Sequence, residues 1–223
     1  LYQVHRPSPE TDIDDTLSAL TDLVRAGKVR YLGSSTYPAH EVVEAQFIAR
    51  DRGRERFVCE QPPYSILVRG IERDVLPVAE QYGMGVIPWS PLAGGWLSGK
   101  WRKGEKNESR RAVLLPDRYD LSIPEHQRKL DAADALAALG DKHGISLVHM
   151  AIAFVIRHPA VTAAIIGPRT MDQLESQLDA ADLDLSDEIL DAIDEIVPPG
   201  VTLHEADRGY DPPGISEASR RRR

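Results

Sequence analysis

Strand-like and helix-like segments alternate along most of the chain, and this order restricts the fold more than any other feature of the sequence. Short runs of β-branched and apolar residues occupy positions 1–5, 29–33, 57–61, 85–89 and 163–167. Between the first two runs, Ile13, Leu17 and Leu20 begin a series of apolar residues spaced by three and four, the period of a helix with one buried face. Alternating strands and helices predict parallel strand pairing through right-handed crossovers. The sequence therefore predicts an α/β fold, either an open doubly wound sheet or a (β/α)8 barrel.

Residues that favour helix ends mark several of the predicted helices. Gly27 and Gly83 follow the first and third helical segments, where glycine readily takes the left-handed conformation that ends a helix. Ser186 precedes the apolar series of the last helix, where its hydroxyl can cap free backbone N–H groups. Two further helical segments, 124–143 and 146–157, precede the fifth strand-like run.

Five strand-like runs are too few for a (β/α)8 barrel, which has eight strands and typically about 250 residues. The first run begins at Leu1, without an initiator methionine or a preceding element. We therefore expect the chain to hold roughly the last five βα units of a barrel, strands 4 to 8, with the N-terminal units missing. Residues 1–200 form the predicted partial barrel, and residues 201–223, rich in Pro, Gly and charge, form a C-terminal loop and basic tail.

The charge balance and the cysteine content disfavour several classes of function. The 223 residues include 27 Lys and Arg against 35 Asp and Glu, a net charge of -8, which argues against nucleic acid as a partner. The basic run 220–223 is typical of a solvated tail. Cys59 is the single cysteine, no Cys/His cluster has zinc spacing, and no apolar run approaches the roughly 18 residues of a membrane span. We expect a cytoplasmic protein with no metal, nucleic-acid or membrane partner.

Polar and aromatic residues finish the predicted strands. In parallel α/β folds, ligands bind at the carboxyl ends of the strands, so these residues are candidates for function. Each alone has a structural explanation: His5 as a hydrogen-bonded rim residue, Gln61 as a buried amide and Trp89 as part of the core. Their occurrence at successive strand ends favours one shared binding site. In chain order the candidates are His5, Ser34, Ser35, Thr36, Gln61, Trp89, Ser90, Gly167 and Arg169.

The segment 94–100, with the sequence GGWLSGK, has the GxxxxGK spacing of a nucleotide phosphate loop. Trp101 occupies the next position, where such a loop needs Ser or Thr to bind Mg²⁺, so an NTPase is disfavoured. A Gly-rich turn ending in Lys100 can still lie against a pyrophosphate, because small residues admit close backbone approach and lysine supplies charge. No GxGxxG motif follows a strand-like run, which leaves a Rossmann site unsupported.

The five runs and the residues after them resemble the aldo-keto reductases, in the same order and up to about residue 200. The forms WSPLAGG and YSIL are closer to bacterial reductases related to potassium-channel β subunits than to the aldose reductase branch. The resemblance implies a (β/α)8 TIM barrel with a nicotinamide cofactor. The matching segments, for barrel strands four to eight, are LYQVHRPSP, VRYLGSSTYP, FVCEQPPYS, GVIPWSPLAGGWLSGKW and AAIIGPRTMDQLESQL.

By this resemblance, His5 is the active-site histidine that orients and polarises the substrate carbonyl. Ser35, Thr36 and Gln61 hold the nicotinamide carboxamide, although Thr36 stands where many members carry Asn. Trp89 stacks under the nicotinamide ring in place of the commoner Tyr, a contact that any aromatic face can make.

The resemblance assigns the rest of an NADP site to the last two strand ends. Arg169 pairs with the adenosine 2′-phosphate, and Pro168 before it stands where a small residue or Lys is usual. Gln177, further along the next helix, stands where Asn is usual. The residues around the pyrophosphate are Ser90, Leu92, Gly94, Ser98 and Lys100, and those of the adenosine end are Gly167, Arg169, Gln173 and Gln177.

The implied activity is NADPH-dependent reduction of an aldehyde or ketone to an alcohol by hydride transfer. In the family a tyrosine donates the proton to the carbonyl oxygen, its pKa lowered by a lysine paired with an aspartate, and all three precede the fourth strand. We therefore expect residues 1–223 alone to be inactive. The alternative is a non-enzymatic nicotinamide-binding regulatory subunit. The partner is a small carbonyl compound whose identity, like the oligomeric state, the sequence leaves open.

Overall fold

The strands formed by the described residues lie side by side in one parallel sheet, in the order in which they follow one another along the chain. The structure is a computed structural model that describes residues 1–105, 110–220 and 222. Each strand pairs in parallel with the next one along the chain, as the sequence predicts. The strands are β1 (Tyr2–Val4), β2 (Leu32–Ser34), β3 (Phe57–Glu60) and β4 (Gly85–Val86).

A helix connects each strand to the next one along the chain. The later helices follow β4. Their bounds are α1 (Ile13–Arg25), α2 (Ala39–Arg52), α3 (Val75–Gln81), α4 (Arg110–Leu114), α5 (Pro124–His143), α6 (Leu147–Arg157), α7 (Met171–Leu178), α8 (Asp187–Ile196) and α9 (Pro213–Ser216).

The predicted helix ends are confirmed. Gly27 and Gly83 lie just beyond α1 and α3 with positive φ angles of 69° and 59°. The Ser186 hydroxyl accepts a hydrogen bond from the Ile189 backbone N–H at the start of α8. Such a cap satisfies one of the N–H groups that have no partner within the helix, and contributes about 1 kcal/mol.

The fifth predicted strand, residues 163–167, is not a regular strand. The Ala163 N–H donates to the Val86 carbonyl oxygen at the end of β4 over 3.4 Å. Beyond β4, Trp89 and Ile165 form an isolated parallel bridge, in which the Ile165 N–H donates to the Pro88 carbonyl oxygen over 2.8 Å. A regular parallel ladder here would need residue 88 to donate to the Ala163 carbonyl. Proline has no N–H, so this bond cannot form and the ladder stops.

The core is built around α6 and the inner faces of the strands. Met150, Ala151 and Val155 of α6 are fully buried, as are Phe57 and Val86 on the strands, each at most 1% exposed. No single helix among the described residues is long and apolar enough to cross a membrane. The helices α5 and α6 reach that length and composition only together, as a pair bent by 97°.

The chain after α8 returns to the carboxyl ends of the strands. The Leu203 N–H donates to the Leu67 carbonyl over 3.1 Å, and Lys129 of α5 forms an ion pair of 2.7 Å with Asp207. Residues 203–209 therefore pack against the face where the strands end. The domain boundary at residue 200 remains a prediction, and two members of the basic run, Arg221 and Arg223, lie outside the described residues.

Candidate functional site at the strand ends

The carboxyl ends of β2 and β3 are joined by hydrogen bonds between the residues that follow them. The Gln61 backbone N–H donates to the Ser34 carbonyl oxygen over 2.9 Å. The Ser35 hydroxyl donates to the Gln61 carbonyl oxygen over 2.8 Å. Ser35 and Thr36 are buried, and Gln61 is partly exposed. The structure thus brings together the three residues predicted to hold a carboxamide group.

Two residues after the strand ends, Thr36 and Ser90, have left-handed backbone conformations with φ angles of 59° and 60°. This conformation is uncommon for residues other than glycine, especially for a β-branched residue such as threonine. It costs roughly 1–3 kcal/mol and persists only where the surrounding structure fixes it, as often happens at binding sites. Both positions therefore have the backbone character of a functional site.

Glu60, the last residue of β3, is a buried carboxylate that the sequence analysis did not select. The residue is 1% exposed. It accepts a hydrogen bond from the Ser34 hydroxyl, and its Oε1 accepts one from the Tyr37 backbone N–H over 3.2 Å. Burial raises the pKa of Glu60 to about 7, and these hydrogen bonds limit the rise. The feature of the sequence that could have identified Glu60 is its charge near the end of the otherwise apolar run 57–61.

Arg6 is the second residue that the sequence analysis missed. Its Nη1 lies 3.4 Å from the Ser35 hydroxyl oxygen, and its Nε donates to the Gly209 carbonyl over 3.0 Å. The guanidinium carbon lies 5.9 Å from the centre of the Trp89 ring. Partial burial lowers the pKa of Arg6, an effect that Glu60 opposes. Arg6 therefore connects the β2 end, the aromatic ring after β4 and the C-terminal segment.

Trp89 is half-buried and lines a cavity of about 470 Å³. Ser90 and Gly94, two more of the predicted residues, line the same cavity. The Ser65 hydroxyl oxygen is buried in its wall and has no hydrogen-bond partner among the described residues. Gly209 packs against the indole, since a Cβ atom there would lie 3.0 Å from a ring carbon of Trp89. The cavity therefore combines an aromatic face with an unsatisfied polar atom.

Trp96 and Tyr119 line one side of the cavity and belong to a cluster of three aromatic rings that also contains Trp101. The rings of Trp101 and Tyr119 stack with their centres 5.2 Å apart and their planes 9° from parallel. The ring centres of Trp96 and Trp101 are 4.4 Å apart. The Tyr119 hydroxyl donates to the Gly94 carbonyl over 2.6 Å. Trp101 is thus a buried core residue whose stack positions the start of the Gly-rich turn.

The Gly-rich turn leaves its backbone open to a ligand. Gly94, Gly95 and Gly99 have positive φ angles of 69°, 107° and 79°. No atom lies within 4 Å of the place where a Cβ would be at Gly95 or Gly99. Ser98 is partly exposed and Lys100 is exposed, so a hydroxyl and a cation are accessible beside this backbone.

The residues predicted for the adenosine end lie at and after the irregular fifth strand. Gly167 and Arg169 are exposed, and the Arg169 backbone N–H donates to the Gln173 side-chain oxygen over 2.8 Å. Gln177 is buried, and its side-chain oxygen has no hydrogen-bond partner among the described residues. The Arg169 guanidinium is therefore accessible at the start of α7, where the helix dipole also favours an anion.

His5 follows β1 and is exposed, and its carbonyl accepts a hydrogen bond from Arg6 Nη1 over 2.6 Å. Of the predicted residues, only Trp89, Ser90 and Gly94 appear in the lining of the 470 Å³ cavity as the described residues form it. Apart from His5, the structure gathers the candidates into three groups. These are the β2–β3 ends, the cavity beside the Gly-rich turn, and the start of α7.

A family model described as the Aldo/keto reductase family matches residues 1–198. The chain is 40% identical over 208 residues to the uncharacterized oxidoreductase YrpG of Bacillus subtilis, covering 92% of this chain and 61% of that protein. It is 32% identical over 201 residues to a putative voltage-gated potassium channel subunit beta of Schizosaccharomyces pombe, covering 88% and 58%. It is 30% identical over 212 residues to versiconal hemiacetal acetate reductase of Aspergillus parasiticus, covering 93% and 60%.

The chain spans about three fifths of the length of these curated relatives. The matched region runs from β1 to the end of α8 and contains all three groups of candidate residues. The family fold is a (β/α)8 barrel, with which the parallel sheet and its connecting helices agree. From its sequence match and its strand-end architecture, the chain belongs to the aldo/keto reductase family.

Proposed function

We propose that the protein reduces an aldehyde or ketone to an alcohol, with NADPH as the hydride donor. The observation that carries this proposal is the arrangement at the strand ends. Buried hydroxyl groups at Ser35 and Thr36 and the partly exposed side chain of Gln61 follow β2 and β3, and an indole with an accessible cavity follows β4. Family membership supports the reaction class, and the relative named as a hemiacetal acetate reductase supports a small organic substrate.

The residues present fit a dinucleotide phosphate. The open positions at Gly95 and Gly99 admit close approach of a pyrophosphate to the backbone, as side chains would not. Lys100 supplies positive charge beside them. The buried Ser65 hydroxyl and the buried Gln177 amide oxygen have no partner among the described residues. Buried polar atoms are normally hydrogen-bonded, so these two support a polar ligand.

Each group of residues has a distinct task in this proposal. Ser35, Thr36 and Gln61 hydrogen-bond the carboxamide and so fix which face of the nicotinamide ring meets the substrate. Trp89 supports the other face of the ring by stacking. His5 donates a hydrogen bond to the carbonyl oxygen, which polarises the carbon that is attacked. A bound dinucleotide would supply the hydride to the carbonyl carbon, and the tyrosine that the family carries before the fourth barrel strand would supply the proton to the oxygen.

Arg169 supports NADPH over NADH. Its guanidinium is exposed at the start of α7 and is permanently charged, with a planar arrangement of donors that suits a phosphate dianion. Gln173 helps to hold this turn by accepting the Arg169 backbone N–H. Cofactor preference therefore depends on a residue far along the chain from the hydroxyl groups at β2.

The test uses the intact protein and the loss of NADPH absorbance with a panel of reactive aldehydes. Turnover that depends on both substrates is expected. Binding is measured in parallel by quenching of tryptophan fluorescence. Trp89→Phe should remove most of the quench while calorimetry still detects binding, because phenylalanine keeps an aromatic face. Trp89→Ala should also weaken binding. A quench that survives in Trp89→Phe would contradict the stacking assignment.

A second candidate is a nicotinamide-binding regulatory subunit without significant turnover, which the similarity to a potassium channel subunit beta favours. The two functions separate in a single-turnover experiment. A reductase oxidises its bound NADPH when an aldehyde is added, whereas a regulatory subunit keeps the NADPH bound and reduced. The same protein sample serves for both measurements, so a poorly folded preparation is recognised by its failure to bind.

We also propose that the protein acts in the cytoplasm on a small soluble substrate, without a nucleic-acid or membrane partner. Cys59 is buried and unpaired, and burial raises the pKa of its thiol to about 11. A neutral, buried thiol is unreactive and suits a reducing compartment. The net charge of -8 disfavours phosphate-rich polymers as partners. Fractionation of cells that express the intact protein tests the location.

A further inference from the structure

Glu60 lies directly behind the turn that carries Ser35 and Thr36. It is the last residue of β3 and is 1% exposed. Its carboxylate accepts hydrogen bonds from the Ser34 hydroxyl and from the Tyr37 backbone N–H. Ser34 and Tyr37 flank the turn. The nearby Thr36 backbone N–H also favours the ionised carboxylate and so lowers the pKa of Glu60. One side chain therefore holds the backbone on both sides of the two hydroxyls.

The hydrogen bonds to Glu60 hold a turn whose backbone is strained at Thr36. Thr36 has a φ angle of 59°, which a β-branched residue adopts only when its surroundings enforce it. The hydrogen bonds that Glu60 accepts from the Ser34 hydroxyl and the Tyr37 N–H, on either side of Thr36, supply such a constraint. The carbonyl oxygen of Gln61, the residue after Glu60, accepts a hydrogen bond from the Ser35 hydroxyl. The turn is thus fixed from two consecutive residues of the same strand end.

We propose that Glu60 is a positioning residue that, in its ionised form, holds the Ser34–Tyr37 turn in the geometry that binds the nicotinamide carboxamide. This inference rests on the proposed function, because it assigns Glu60 a task in cofactor binding. Glu60 itself touches neither cofactor nor substrate. It acts through Ser35 and Thr36, so it changes the binding of the nicotinamide end of the dinucleotide. The change in affinity should therefore be the same with and without the 2′-phosphate.

The charge state of Glu60 changes close to neutral pH. Burial raises its pKa to about 7. Arg6, after β1, favours the ionised form. Tyr37 and Cys59 also face the carboxylate, and the pKa values of both are raised, to about 12 and about 11, so neither changes charge near pH 7. Cofactor affinity should therefore follow the ionisation of Glu60 alone among these groups.

The experiment measures the dissociation constants of NADPH and NADH for the intact protein between about pH 6 and pH 9, a range that brackets the pKa of Glu60. In the wild type, both constants should rise as the pH falls through about 7. Glu60→Gln removes the charge and keeps the shape, and should bind both dinucleotides roughly tenfold more weakly at about pH 8.5, in proportion to the loss of charge-assisted hydrogen bonds. Its affinity for NADH should be nearly independent of pH.

Two further variants separate positioning from general stability. Ser34→Ala removes a bond that favours the ionised carboxylate, so it should move the pH midpoint of binding upward. Glu55→Gln makes the same chemical change at an exposed site just before β3 and should leave both the affinity and its pH profile unchanged. A thermal melt of each variant confirms that it is folded.

The outcomes separate the two proposals. If the wild type binds neither dinucleotide, the proposed function is wrong and this inference is wrong with it. If the wild type binds, but folded Glu60→Gln binds equally well with the same pH profile, only the positioning role is refuted. An unshifted midpoint in folded Ser34→Ala would also overturn it. If Glu60→Gln does not fold, the Ser34→Ala midpoint decides the question.

Discussion

Replacing Glu60 with glutamine should change how the stability of the protein depends on pH. The pKa of Glu60 is raised from 4.5 to about 7 by burial. In the unfolded chain the carboxyl ionises near its ordinary value, whereas in the folded protein it keeps its proton until about pH 7. The proton therefore stabilises the folded state most fully below pH 4.5, and this contribution is lost as the pH rises through about 7.

The magnitude follows from the difference between 4.5 and about 7, at about 1.4 kcal/mol for each pKa unit. Between about pH 5 and pH 8 the loss amounts to about 2.5 kcal/mol, most of the full effect. A glutamine at this position cannot ionise, so the free energy of unfolding of Glu60→Gln minus that of the wild type should rise by about this amount over the same range. Because the residue is 1% exposed, solvent screening reduces the effect little.

The assay is urea unfolding of both proteins at intervals from about pH 5 to pH 8, followed by far-UV circular dichroism. The difference between the two proteins removes the contribution of every other titrating group. Glu55→Gln serves as the matched control, and its difference from the wild type should stay constant with pH. A constant difference for Glu60→Gln would show that Glu60 has an ordinary pKa and would refute the account of its burial.

The other predictions concern cofactor choice and packing. Arg169→Ala should weaken NADPH binding by roughly 1.5–3 kcal/mol and leave NADH nearly unchanged in calorimetry, whereas equal losses would mean a structural role. Gly140→Ala should lower the thermal midpoint by several degrees, since its Cβ would lie 2.5 Å from the Ile145 carbonyl oxygen; an unchanged midpoint contradicts this. Arg69→Gln should destabilise by about 3–5 kcal/mol in urea unfolding, because Arg69 is 5% exposed and pairs with Glu72 over 2.8 Å; a loss under about 1 kcal/mol refutes it.

Much of the fold followed from local sequence properties. The spacing of apolar residues and the residues at helix ends located α1, α5 and α8. A helix needs apolar residues along one face and partners for its free N–H groups, and residues close together in the sequence supply both. The fifth strand was predicted wrongly from its composition. Its pairing depends on Pro88, which belongs to a distant segment of the chain and cannot be seen in a local pattern.

The candidate site divides in the same way. The family followed from the sequence alone, through its match over residues 1–198. The choice of Ser35, Gln61 and Trp89 also followed from it, because residues that follow parallel strands converge at one edge of the sheet. Their roles in binding stay predictions. Only the tertiary structure revealed the positions of Arg6 and Glu60. The Glu60 carboxylate can position the turn, and its pKa rises towards 7, only because the fold removes it from water and surrounds it with hydrogen-bond donors that follow from another strand. No single stretch of sequence encodes that environment.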